Sequence, residues 1–110
     1  MIDIEPLTFK ELKEFTKICA NGQPCLFDVN VIGKVSRVQE KRKELKNSVK
    51  EYYSVTLRSL QDESDFFIVL IDKALLNDKL EEGTVIYTKG SLFKIEDFVY
   101  LSASEVKVVD

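Results

Sequence analysis

The chain has 110 residues, 45% of them hydrophobic, which is enough for one compact core and too little for two independent ones. Sixteen Lys and Arg stand against nineteen Asp and Glu, a formal net charge of -3, so the molecule as a whole is no polycation and any anion-binding site must be a local patch. The longest apolar run, residues 66–71, is far short of a membrane span, and MIDIEPLTFKE carries acids where a signal peptide carries bases, so a cytoplasmic protein with no membrane attachment is expected.

Residues 8–21 read as an amphipathic helix. Thr8 and Glu11 have the spacing of a capping box, and Leu7 and Leu12 take the staple positions outside it. Phe9, Leu12, Phe15, Ile18 and Cys19 recur at steps of three and four on one face, with Lys10, Lys13, Glu14 and Lys17 on the other and Asn21-Gly22 as the stop. Such a face either closes one mouth of a barrel or docks onto another protein, and burial favours the first. Cys19 and Cys25 lie six apart in a chain without histidine, which argues against a zinc site and for free thiols in a reducing compartment. No metal and no cofactor are expected.

Phe27, Val29, Val31 and Val35 alternate with Asp28, Asn30, Lys34 and Ser36, the pattern of a half-buried strand. Ile32 breaks the pattern, and Gly33, in line with the inward valines, marks a bulge or a bend of the kind that lets one strand serve two sheets. Residues 34–50 then hold seven bases, Lys34, Arg37, Lys41, Arg42, Lys43, Lys46 and Lys50, against Glu40 and Glu44, and read as a basic loop. A second strand over 52–60 puts Tyr53, Val55 and Leu57 on one face and Tyr52, Ser54, Thr56 and Arg58 on the other. Residues 61–65 are an acidic, solvated turn, and a third strand over 66–71 is apolar on both faces. In residues 72–82, Asp72 is a candidate N-cap, Leu75, Leu76 and Leu80 have helical spacing and Gly83 is a C′ glycine, so one short helix is expected. Val85 and Tyr87 alternate with Ile86 and Thr88 up to Gly90, and after the acidic pair Glu96-Asp97 a last strand covers 98–108.

Three strands, a helix and two strands are the connectivity of the OB-fold. The stretches VNVIGKV at 29–35, YYSVTL at 52–57, EEGTVIYTKGSL at 81–92 and VYLSASEV at 99–106 resemble OB-fold nucleic-acid-binding domains, those of single-stranded-DNA-binding proteins in particular. In that family a glycine bends the first strand, another precedes the fourth and a third lies inside it; Gly33, Gly83 and Gly90 match in turn. The chain departs from the pattern after the second strand, where Leu60-Gln61-Asp62-Glu63 makes a longer, more acidic turn. The resemblance implies a mainly β, five-stranded Greek-key barrel over 26–108, preceded by the 8–21 helix, in one domain spanning 1–110. It also implies a single strand held on the face of strands two and three, between the loops that join strands one and two and strands four and five.

The candidate site follows from placing residues on that face. Lys34, Arg37, Lys41, Arg42, Lys43, Lys46 and Lys50 would track a phosphate backbone, although a charge run is as often a solvated loop. Tyr52 would stack a base, Arg58 on the same face would add a guanidinium stack, and Phe66 or Phe67 would be a second platform, although phenylalanine in a strand is more often core. Lys89 and Lys94 extend the basic side, near Phe93, Phe98 and Tyr100. With no histidine, no thiol beside a base and no glycine-rich phosphate loop, an enzyme is not expected.

Two functions from different classes stay open at this point. One is a small non-enzymatic protein that binds single-stranded nucleic acid, DNA in preference to RNA, with little sequence preference, in replication, repair or recombination. The other is a protein-interaction module or accessory subunit of a DNA-processing complex, using Asp62, Glu63, Asp65, Asp72 and Asp78 to dock a basic partner. A weak binder that gains affinity by assembling with copies or with an enzyme unites the two. Strand edges of a partly open barrel make a homodimer a further expectation. With Val109-Asp110 directly after the last strand and no acidic tail there to recruit partners, other partners are expected at the N-terminal helix or the acidic turn.

Overall fold

A strand with period-two apolar alternation must bury one face, and five strands here do so by curling round on one another. The computed structural model of the protein describes residues 9–15, 17, 24–76, 79–95 and 98–109. Helix α1 (Phe9–Phe15) precedes β1 (Pro24–Leu45), β2 (Ser48–Arg58), β3 (Phe66–Asp72), a 3-10 turn (Lys73–Leu75), β4 (Val85–Ile95) and β5 (Phe98–Val109). The strands close into a barrel in the order β1-β2-β3-β5-β4. All neighbours are antiparallel except β3 and β5, which run parallel. This is the five-stranded Greek-key barrel expected from the sequence. No helix among the described residues is long and apolar enough to cross a membrane.

One strand does double service. Residues 24–34 of β1 pair with β4 and residues 34–45 pair with β2, so Lys34 has Val85 on one side and Arg58 on the other. Gly33 permits the change of partner, because a Cβ there would stand 3.0 Å from the Arg58 carbonyl oxygen and 3.2 Å from the Phe9 ring. The bulge lies just beyond it, between Val35 and Arg37. A second irregularity, between Leu26 and Val29, accommodates Asp28 at φ 55, a left-handed backbone that aspartate tolerates better than most residues.

The interior is filled as the alternation requires. Val29, Val31 and Val35 of β1, Val55 and Leu57 of β2, Phe67, Val69 and Ile71 of β3, Ile86 and Leu92 of β4 and Leu101 of β5 are buried together. Thr88 is the polar member, and its hydroxyl donates to the Val31 carbonyl at 3.2 Å. Phe9 and Leu12 of α1 enter the same core, Phe9 packing on Phe67 with ring centroids 5.7 Å apart, and Lys13 pairs with Asp65 at 2.7 Å. The helix thus seals the barrel, as its apolar face led us to expect. Thr8, Leu7, Ile18, Cys19, Asn21 and Gly22 lie outside the described residues, as do the side chains of Phe15, Cys25 and Phe27.

Two expectations need correction. The basic segment 34–50 is not a loop: pairing runs unbroken from Arg37↔Thr56 to Leu45↔Ser48, leaving Lys46 and Asn47 as the turn of a long hairpin arm. The arm projects with both faces in water, so neither needs apolar residues and no period-two signal marks it. Strand β2 accordingly begins at Ser48 rather than Tyr52. The short helix between β3 and β4 exists, but among the described residues it is only the 3-10 turn over Lys73–Leu75. Asp72 caps it as expected, accepting from the Ala74 N–H at 3.0 Å. Leu76 is already extended, and it packs on the core with Leu80 without needing helical spacing. Gly83, at φ 92, ends no helix; it lies in a turn, and its N–H donates to the Val35 carbonyl at 2.7 Å. The solvated turn at 61–65 is as expected, with Asp62 accepting from the Ser64 N–H at 3.0 Å and hydroxyl at 2.6 Å, bonds that lower its carboxyl pKa.

Gly90 sits against the β5 backbone at the register shift between Lys89 and Gly90. A Cβ there would overlap the Ser102 carbonyl oxygen and stand 2.7 Å from its carbon and 2.8 Å from the Ala103 Cα, all backbone atoms that cannot step aside. Gly90→Ala should therefore cost about 3 kcal/mol or more in a urea unfolding curve, at the upper end of overpacking penalties. Gly33→Ala, whose Cβ would crowd the Arg58 carbonyl oxygen and the Leu57 Cβ at 3.0 Å and the Phe9 ring at 3.2 Å without overlapping any of them, should cost less.

Candidate nucleic-acid interface

Beyond its bulge, β1 places Arg37, Lys41 and Lys43 on one face of the arm, because side chains alternate and Val38 points into the core. Their cross-strand partners on β2 share that face: Thr56 faces Arg37, Tyr52 faces Lys41 and Lys50 faces Lys43. The surface continues across the sheet. Asp72 of β3 pairs with Tyr52 and Leu70 with Ser54, and on β5 Ser102 follows beside Leu70 and Tyr100 beside Ile68. Phe93 of β4 stacks on Tyr100, centroids 5.5 Å apart and planes 8° from parallel. From Lys50 to Arg58 this face is about 26 Å long at the usual strand rise.

A groove of about 590 Å³ lies at its Lys50 end. Lys43, Leu45, Lys50 and Tyr52 form one wall, Leu70 and Asp72 the floor, and Ser102, Ala103 and Ser104 the far wall, with Ala74 and Leu75 closing one end. Burial raises the Tyr100 phenol pKa, and the charge of an ionised Tyr52 on the same face raises it further.

The arm sorts its charges by face. Lys43 and Lys50 are directly opposed, an arrangement of like charges that costs stability in a sheet. Neither they nor Arg37 and Lys41 form an ion pair with any described acid. On the other face Arg42 is opposed to Glu51, with Glu40 and Glu44 on the same side. There Lys73 reaches Glu51 at 3.2 Å and Glu40 at 4.0 Å and lies 5.8 Å from the Tyr53 ring centre; the Glu51 hydrogen bond and charge, then Glu40, raise its pKa. Arg42 is therefore not on the face of Lys41 and Lys43.

The remaining expected residues are dispersed around that face. Lys46 is exposed at the tip of the arm. Lys34 lies where β1 changes partner, in a second cleft with Ser36, Arg58 and Glu63. Arg58 shares the face of Tyr52 but is held, donating to Ser36 Oγ at 3.4 Å and the Glu63 carbonyl at 3.3 Å with its guanidinium 5.3 Å from the Phe66 ring centre. Phe66 is 46% exposed and turned outward, whereas Phe67 is 2% exposed and belongs to the core. Lys89 lies past the far wall, where Ser104 donates to its carbonyl, and is opposed to Glu105. Lys94 is opposed to Val99, which packs on the core, so alternation puts it on the face away from Phe93 and Tyr100.

Sequence reasoning placed Tyr100 and Phe93 near a loop and did not bring Leu70, Ser102 and Ser104 into the site. Period-two alternation along β5 was the available signal. Nothing local announces that β5 lies parallel to β3, the contact that carries these residues to Tyr52.

Among solved structures, the chain is similar to the OB domain of Ta0387 from Thermoplasma acidophilum, with a TM-score of 0.58 and 17% identity over 86% of this chain and 83% of that one. It is also similar to the N-terminal domain of PriB protein from Thermoanaerobacter tencongensis, solved as a dimer, with a TM-score of 0.57 and 22% identity over 76% of this chain and 97% of that one. The barrel is an OB-fold. No protein-family model and no curated protein sequence matches the chain.

Spectrophotometric titration should find a phenol that ionises above the ordinary tyrosine value of about 10, and Tyr100→Phe should remove that component. The folded state keeps this proton after the unfolded chain has lost it, so Tyr100 makes stability fall as pH rises from about 10 through its folded pKa. Tyr100→Phe should flatten the decline.

Proposed function

We propose that this is a non-enzymatic cytoplasmic OB-fold protein that binds single-stranded nucleic acid, DNA in preference to RNA, along the outer face of the arm and of β2, β3 and β5. The observation that carries the reading is the opposed pair Lys43 and Lys50, flanked by Lys41 and Arg37 without acidic partners and next to the Tyr52 ring. Like charges held together at a cost are stabilised when an anion arrives, and each phosphate neutralised releases counterions. Tyr52, Tyr100 with Phe93 behind it, and the outward Phe66 supply stacking surfaces that accept any base. Lys34, Lys46, Arg58 and Lys89 extend the positive border, while Arg42 and Lys94 contribute at longer range.

The net charge of -3 does not oppose this reading, since Glu40, Glu44 and Glu51 are gathered on the opposite face of the arm. That acidic face suits a protein partner in a replication, repair or recombination assembly. Among the described residues, 36–45 of β1 pair only with β2, which leaves their other edge to a second copy, and the similar PriB domain is dimeric.

Fluorescence anisotropy of a labelled thymidine oligomer of about thirty nucleotides, in rising salt and against duplex competitor, tests the reading. With about four phosphates neutralised by Arg37, Lys41, Lys43 and Lys50, the slope of log affinity against log salt should be about -3. Substituting Lys41, Lys43 and Lys50 together by alanine should weaken binding at least about tenfold and bring the slope to about -1. Arg42→Ala should leave affinity within about twofold, because its charge points away from the groove. Absence of binding at about 50 mM salt would leave the protein-interaction module as the function.

A further inference from the structure

The groove contains one charge that phosphate binding does not explain. Among the described residues lining it, Asp72 is the one acid, set among two lysines, hydroxyls and apolar side chains. A carboxylate there repels a phosphate backbone, so the part of a nucleotide that faces it must be a hydrogen-bond donor. Building on the single-strand reading above, we propose that the groove seats one nucleobase on Tyr52 and that Asp72 makes it prefer a base with an exocyclic amino group, guanine foremost.

Three features of the site lead there. Asp72 is the direct cross-strand partner of Tyr52, so a base stacked on that ring brings its edge to the carboxylate. The carboxylate is held in place by its own fold, since Oδ1 accepts from the Ala74 N–H at 3.0 Å as the cap of the 3-10 turn. An ionised carboxylate only accepts, at about four lone-pair positions, and Oδ2 has no partner among the described residues.

Base chemistry sets the order of preference. Guanine offers its ring N1–H and its 2-amino group side by side, a fork that matches a carboxylate; cytosine and adenine offer one amino group each. Thymine offers a single N–H flanked by two carbonyl oxygens, which a carboxylate repels, so discrimination arises from repulsion of one base as much as attraction of another. Across the groove, the Ser102 hydroxyl can donate or accept and so does not bias the choice, while Ser104, whose proton goes to the Lys89 carbonyl at 3.2 Å, is left to accept.

The test compares two labelled oligomers of about twelve nucleotides, within the span of one OB barrel, one of thymidine alone and one with guanine at every fourth position. The wild-type chain should bind the guanine oligomer about tenfold more tightly, the discrimination expected of one well-formed base contact. Asp72→Asn keeps a capping side chain but can donate as well as accept, so the two affinities should come within about twofold while the salt slope and urea midpoint stay unchanged. Equal affinities in the wild-type chain, or a guanine preference that survives Asp72→Asn, would overturn the base preference and leave single-strand binding standing. Binding of neither oligomer would overturn both.

Discussion

Everything in this molecule hangs on a strand that changes neighbours. Up to Lys34, β1 belongs to β4; from Lys34 onward it belongs to β2, and only this sharing closes five strands into a barrel. A side chain at Gly33 would be crowded, because the Phe9 ring, the Leu57 side chain and the Arg58 carbonyl converge there to within 3.0–3.2 Å of where a Cβ would stand. The same bend aims the second half of β1 away from the barrel, so that it and β2 become a free-standing arm. Closure of the core and presentation of the basic face are two results of one turn in the chain.

Outside the barrel, alternation does for electrostatics what it does inside for apolarity. Within the core it separates valine from polar neighbours; on the arm it separates lysine from glutamate. Arg42 is the exception among the bases, since it lies between Lys41 and Lys43 in the chain but on the opposite face, with Glu40, Glu44 and Glu51. The two surfaces differ in kind. On one, Lys73 is clasped by Glu51 and Glu40 and its charge is locally satisfied. On the other, four bases meet no described acid, beside aromatic rings and a groove floored by Leu70.

Legibility in the sequence followed burial. Val29, Val31 and Val35, the inward Val55 and Leu57, the apolar third strand and the amphipathic start of the chain were readable because each must hide a face from water. The pairing of Phe66 outside with Phe67 inside was open to either reading, since a strand apolar on both faces carries no period. The arm was unreadable for the opposite reason: wet on both sides, it shows only charge, and charge looks the same in a loop. Leu75, Leu76 and Leu80 had helical spacing, yet Leu76 reaches the core from an extended backbone and Leu80 is buried there outside any described helix, so spacing alone could not separate the two. The far wall of the groove depends on the parallel contact of β3 with β5, which joins residues some thirty positions apart and leaves no local trace.

The bulge at Ser36 has a bearing on how such a surface can change over time. Counted from Val35 in strict alternation, Arg37, Lys41 and Lys43 would point with the valines, and Glu40 and Glu44 would take the side of Tyr52. The extra residue therefore acts as a phase shift that sets the sign of the groove. Gaining or losing one residue between Val38 and the tip of the arm would exchange the faces of the β1 charges, with Lys50 and Glu51 of β2 staying where they are, while leaving the net charge almost untouched. Relatives with nearly the same composition can thus present opposite polarities to a ligand, and the number of residues that follow the bulge, more than the number of lysines, records which polarity a given chain has.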